Sequence, residues 1–160
     1  MKKRVYIETT IPSYLTAWPS RDLIIAAHQQ ITRDWWQNER VEYELYLSAP
    51  VLRESAGGDE EAARLRLESL AEIVELAVTE EAESLADSLR LAVPLPERAA
   101  VDALHISVAT VSGMDYLLTW NCTHIANATL RSRIESVCRS QGYAAPIICT
   151  PEELRSSEDE

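Results

Sequence analysis

The chain has 160 residues, 46% of them apolar, and a formal net charge of −11. That length suits one domain around a single core, and no apolar run approaches the ~20 residues of a bilayer-spanning helix, so a soluble cytoplasmic protein without membrane contact is expected. The acidic balance argues against a general nucleic-acid coat protein, which must neutralise phosphates with Lys and Arg, but leaves room for a nuclease that works through a metal ion and a few arginines.

In chain order, the first predicted element is a strand over residues 4–8, where Val5-Tyr6-Ile7 runs into Glu8 and then Thr9-Thr10. The basic start MKKR precedes only three apolar residues, too short for a signal peptide. Apolar positions Leu23, Ile24, Ala27, Ile31, Trp35 and Trp36 recur at helical spacing and predict a helix over 22–40. A strand over 43–49 leads into a short helix that carries Glu54. After Gly57-Gly58 comes a helix over 59–72, then a strand over 73–77. Thr79 followed by Glu81 and Glu83 opens a helix over 79–91. Pro96 and Glu97 start, and Gly113 stops, a helix over 96–112. A strand over 116–119, a helix over 131–141 ending at Gly142, and a strand over 146–149 complete the series.

Short apolar runs alternating with helical patterns predict a three-layer α/β/α sandwich around a mostly parallel central sheet. One domain spans 1–155, and the acidic end 156–160 has no fold of its own. In parallel sheets ligands collect beyond the carboxyl ends of the strands. Glu8 stands at one such end, Glu54 just past the second strand and Asn121 just past the fourth, while Asp102 interrupts the apolar helix AVDALHISVA. Each has an ordinary reading: Glu54 as a helix-dipole or surface charge, Asp102 as a partner of Arg98, Asn121 as a turn residue. Glu8 is the hardest to explain so, since a lone buried charge costs several kcal/mol and calls for something positive nearby. Two carboxylates ~4 Å apart repel by about 4 kcal/mol at an effective dielectric of ~20. Three at one sheet edge therefore suggest a cation, and hard oxygens suit Mg²⁺ or Mn²⁺.

Other side chains divide between two readings. His105 is a proton donor or a packed imidazole bonded to backbone; His124 flanks the site or caps a turn. Cys122, Cys138 and Cys149 form no CxxC pair and read as reduced thiols; zinc on Cys122, His124 and Cys149 lacks a paired spacing. Trp35 and Trp36, with Tyr43 and Tyr46, either stack on RNA bases or pack in the core or a dimer. Arg21, Arg33 and Arg53 contact phosphate or pair with surface acids.

Together VYIETTIPSYL, the acid in APVLRES, DALHISVA and LLTWNCTHIAN resemble the PIN domain, and more narrowly its VapC-type members, the toxins of type II toxin–antitoxin pairs. The likeness runs from residue 4 to about 154, and ETTIPSYL resembles a branch with Glu at the first acidic position. It implies a Mg²⁺- or Mn²⁺-dependent ribonuclease acting on RNA, a homodimer, and a small antitoxin that blocks the site. Position by position it implies Glu8, Glu54, Asp102 and Asn121 as the catalytic set, with Glu8 and Asp102 holding metal directly or through water and Glu54 orienting the attacking water. Thr119 matches the small hydroxyl residue before the fourth position. Thr9, Thr10 and Arg53 join it as expected substrate contacts. Two departures stand out: Glu8 is one methylene longer than the usual Asp, and Asn121 replaces an Asp and brings no charge, so one metal is easier to hold than two.

Overall fold

A computed structural model describes residues 1–156; all but the first residue of the expected acidic tail, 156–160, lies outside the described residues. Five short strands pair side by side, all parallel, in the order β3-β2-β1-β4-β5: β1 is Lys3–Ile7, β2 Tyr43–Ser48, β3 Val74–Leu76, β4 Tyr116–Leu118 and β5 Ile147–Cys149. A parallel sheet is covered on both faces, so its central strand must be apolar without alternation. β1 meets this demand: Val5, Tyr6 and Ile7 have no exposed surface. Tyr6 pairs with Tyr46 of β2 on one side and Leu117 of β4 on the other.

The helices follow from right-handed crossovers between parallel strands. Moving from β1 outward to β2 and β3, the chain forms α1 (Thr10–Thr16), α2 (Leu23–Asp34), α3 (Ala49–Ser55) and α4 (Glu60–Leu70); crossing back to β4 and β5, it forms α5 (Glu80–Ala92), α6 (Ala100–Val111) and α7 (Ala128–Ser140). Helices α1, α2 and α4 pack together, as do α5, α6 and α7. This is the expected three-layer α/β/α sandwich. The strand order reverses between β1 and β4, and at such a switch point parallel sheets bind ligands in the crevice beyond the carboxyl ends of the strands.

Capping decided most helix starts. Asp22 accepts from the amides of Ile24 and Ile25, Asp59 from Ala62 and Thr79 from Ala82, each satisfying amides that the first turn leaves unpaired. Gly113 stops the sixth helix at φ +70°. Gly113→Ala puts a Cβ-bearing residue into the left-handed region, which costs about 1–2 kcal/mol; the expected result is a melting temperature lower by several degrees by calorimetry.

Three elements differ from expectation. α1 is an element the sequence does not display, because TIPSYLT is short, β-branched and without a readable period; burial of Ile11 and Pro12 holds it in place. The long helix over 22–40 ends as regular α-helix at Asp34, passes through one π-turn, Trp35–Glu39, and a 3₁₀ turn, Arg40–Glu42. Wide turns of this kind re-aim side chains, and here Trp35 enters the core, donating from Nε1 to Leu154 O at 2.7 Å, while Trp36 lies beneath the Arg40 guanidinium at 4.2 Å. The core reading of Trp35 therefore holds over base stacking. α7 begins at Ala128 rather than at 131, since Asn127 caps it by accepting from Thr129 N.

Candidate active site

Glu8 follows β1 and is 3% exposed, yet among the described residues no Lys or Arg pairs with it. Its side-chain and backbone donors are neutral and all converge on Oε2: Thr10 N at 3.0 Å, Thr10 Oγ1 at 2.6 Å and Thr119 Oγ1 at 2.8 Å. Hydrogen bonds of this kind favour the charged form, while burial opposes it. Burial wins and pushes the Glu8 carboxyl above its ordinary range, against the opposing effects of the nearby His105 ring and of the Thr10 and Thr119 bonds. The same hydroxyls accept from the next loop, Thr10 Oγ1 from Trp120 N at 2.7 Å and Thr119 Oγ1 from Asn121 N at 2.9 Å. One carboxylate oxygen thus ties the exit of β1 to the exit of β4.

Thr119 has no exposed surface. Thr119→Val keeps its shape but removes a donor to Glu8 and the acceptor for Asn121 N. A loss of about 1–3 kcal/mol is expected in urea denaturation; an unchanged midpoint would show that these bonds carry no stability.

Glu54 sits in α3, its side chain 39% exposed. Burial pushes its carboxyl up, but bonds from His105 and from Thr9 prevail and hold it below the ordinary range. Thr9 Oγ1 donates to Glu54 Oε1 at 2.7 Å, and His105 Nε2 lies 2.6 Å from the same oxygen. The His105 ring is wholly buried in α6, with Nδ1 2.6 Å from the Tyr6 hydroxyl, itself 2.6 Å from Ser48 Oγ. The backbone partner expected for a packed His105 is absent; both ring nitrogens meet side chains.

Asp102, one helical turn before His105, pairs with His124 rather than with Arg98: His124 Nδ1 lies 3.0 Å from Asp102 Oδ2. Asn121 accepts at Oδ1 from His124 N at 3.1 Å, and its carbonyl accepts from Ile125 N and Ala126 N. Its bonds are those of the ordinary turn residue, and they place the His124 ring beside Asp102. Arg53 is exposed, next to Glu54, with no hydrogen bond or ion pair among the described residues. Thr9, Thr10 and Thr119 direct their hydroxyls at the acids.

A pattern emerges from the three acids. Each has one oxygen engaged, Glu8 Oε2, Glu54 Oε1 and Asp102 Oδ2, while no hydrogen bond of the described residues reaches Glu8 Oε1, Glu54 Oε2 or Asp102 Oδ1. Among the described residues Ser55 Oγ is the one buried side-chain atom without a partner, so Glu8 Oε1 keeps an edge toward solvent. No three His, Cys, Asp or Glu side chains converge into a chelating group among the described residues. Zinc on Cys122, His124 and Cys149 thus finds no such cluster; the three cysteines are free thiols, and burial pushes Cys149 up to about 12. The sequence missed the histidines as partners of the acids, although His105 at three residues from Asp102 and His124 at three from Asn121 were the available signals.

No protein-family model and no curated protein matches the sequence. Among solved structures, the fold matches a chain in the crystal structure of VapBC2 from Rickettsia felis bound to a DNA fragment from their promoter, with TM-score 0.59 and 15% identity over 92% of this chain and 98% of that one. No described helix is long and apolar enough to cross a membrane. An all-parallel five-stranded sheet with acids at its switch point, on a fold shared with that chain, gives this protein a PIN-like α/β architecture.

Proposed function

We propose that this protein is a metal-dependent endoribonuclease that cleaves RNA phosphodiester bonds, the toxin of a toxin–antitoxin pair, acting in the cytoplasm as a homodimer. The observation that carries the reading is the set of Glu8, Glu54 and Asp102 at the carboxyl edge of the sheet, each held by one oxygen with the other unclaimed. The donor set fits a hard cation: unclaimed carboxylate oxygens without a closed chelating group suit Mg²⁺ or Mn²⁺, which bind one or two carboxylates and keep several waters. Glu8 and Asp102 are the residues assigned to hold it. When bound, such an ion supplies charge stabilisation at the phosphate and eases ionisation of water.

The protein's own groups do the rest. Glu54, kept ionised by its bonds to His105 and Thr9, accepts a proton from the attacking water. Thr10 and Thr119 hold the Glu8 carboxylate in register, and Thr9 does so for Glu54. Arg53, exposed one residue before Glu54, meets the substrate phosphate. Asn121 acts through the loop that sets His124 against Asp102. An exposed apolar group at the head of α2, Trp18 at 91%, Leu23 at 86% and Ile24 at 69%, supports a protein partner, assigned to a small antitoxin because the structural neighbour is a VapBC complex.

A second reading has its own support. Asn121 Oδ1 is engaged by His124 N, and the histidines already partner two of the acids, as in a PIN-fold binding or regulatory subunit that no longer cleaves. Incubation of the purified chain with an RNA pool in Mn²⁺ or Mg²⁺, against an EDTA control, separates the two. Metal-dependent cleavage supports the nuclease; no cleavage, with no heat of metal binding, supports the subunit.

A further inference from the structure

The Ser48, Tyr6 and His105 side chains lead in single file from the core to Glu54, and none has exposed surface. This inference rests on the reading of Glu54 as the water-activating acid. Nε2 of His105 faces Glu54 Oε1 at 2.6 Å. An ionised carboxylate only accepts, so the proton in that bond sits on Nε2. The remaining protons have two arrangements. If Nδ1 were also protonated, it would donate to the Tyr6 oxygen, Tyr6 would donate to Ser48 Oγ, and the Ser48 proton would meet no acceptor, since the Tyr6 hydroxyl is the one partner of that atom among the described residues. A buried orphan donor is disfavoured. If Nδ1 is bare, Ser48 donates to Tyr6, Tyr6 donates to Nδ1, and every proton has an acceptor.

We propose that Ser48, Tyr6 and His105 form a one-way buried hydrogen-bond chain that fixes His105 as its Nε2–H tautomer and makes it the positioning residue of Glu54. Glu54 stands on α3 with its side chain 39% exposed, so packing alone does not fix it. The ring and Thr9 Oγ1 both donate to Oε1, which fixes the carboxylate and leaves Oε2 unclaimed. The chain also crosses three elements, β1, β2 and α6, so the geometry of the sheet sets the position of the acid on α3. Partners of this kind, one bond removed from the reacting groups, change activity by about 10- to 100-fold when removed.

The test begins with the ¹H–¹⁵N spectrum of the histidine rings in the uniformly labelled full chain, with His105 assigned by its loss in His105→Gln. The expected pattern at neutral pH is a protonated Nε2 and a bare, accepting Nδ1. In RNA cleavage, Tyr6→Phe lowers kcat about 10-fold or more with KM unchanged, since Tyr6 lies in the core out of reach of RNA. His105→Gln, whose amide still donates toward Glu54, retains more activity than His105→Leu. Cooperative thermal unfolding of each variant checks the fold, and if His105→Leu does not fold, the spectrum and Tyr6→Phe decide. A doubly protonated ring or the Nδ1–H tautomer in the wild-type spectrum overturns the proposal, as does wild-type kcat in folded Tyr6→Phe. A wild-type protein that cleaves nothing removes the nuclease reading, while the spectrum still decides the chain.

Discussion

Glu8→Gln is expected to shift two measurements in opposite directions: the metal-free protein melts at a higher temperature, while metal binding and cleavage are lost. The stability effect follows from burial. The Glu8 carboxyl is held above its ordinary range in the fold, so between that ordinary value and the raised one the folded state binds more protons than the unfolded state. Stability therefore falls as pH rises through this window and stays reduced above it. Glutamine removes the ionisation and keeps an oxygen to accept from Thr10 N, Thr10 Oγ1 and Thr119 Oγ1. Its amide takes the place of the unclaimed oxygen, where it repels a cation. Charge stabilisation by a metal is worth several kcal/mol, so cleavage falls by at least on the order of 100-fold. Thermal melts from acid to neutral pH, with and without Mn²⁺, read both halves. A Glu8→Gln protein less stable than wild type at neutral pH, with unchanged cleavage, would make Glu8 a structural cap and move the chemistry elsewhere.

The pH dependence has a second contributor with the opposite sign. Glu54 lies below its ordinary range, so its contribution is present above the unfolded value and is lost as pH falls through the folded one. Its side chain is 39% exposed, and solvent screening makes that contribution small. In Glu8→Gln the fall in stability with rising pH that Glu8 causes is lost, and the small opposite contribution of Glu54 remains.

The outline of this fold was written in local signals. Asp22, Asp59 and Thr79 are cap residues followed by helical periods, Gly113 and Gly142 are stops, and Val5-Tyr6-Ile7 is an apolar run that only a strand covered on both faces can use. These features act over a few residues, so a sequence displays them. The helix after Glu8 was not legible, because its stability comes from Ile11 and Pro12 buried against distant elements. The acids were legible as polar residues at places where apolar ones pack more easily. Their partners were not. His105 lies 51 positions from Glu54 and 99 from Tyr6, and Thr119 lies 111 from Glu8, and nothing local selects such pairs. Gathered carboxylates need compensation, and hydroxyls, an amide and imidazoles supply part of it where the sheet brings them together.

Asp102→Asn provides the complementary result, loss of cleavage with little change in stability. Asp102 and its partner His124 are 16% and 19% exposed in their side chains, so water reaches both, and an amide of the same shape still offers His124 a hydrogen-bond partner. The fold therefore loses little, within about 1 kcal/mol. The crevice loses one of the two charges assigned to metal, and with it charge stabilisation in the transition state, so cleavage drops by on the order of 100-fold or more. Calorimetric titration with Mn²⁺ reads the affinity directly, apart from any RNA. The pair of variants separates site from scaffold: the proposed function assigns both Glu8 and Asp102 to metal, but they differ in burial, so on that reading both lower cleavage while only Glu8→Gln raises metal-free stability. Wild-type cleavage in Asp102→Asn would remove this residue from the metal site. Loss of stability equal in the two variants would point to structural roles for both, as in the binding-subunit reading.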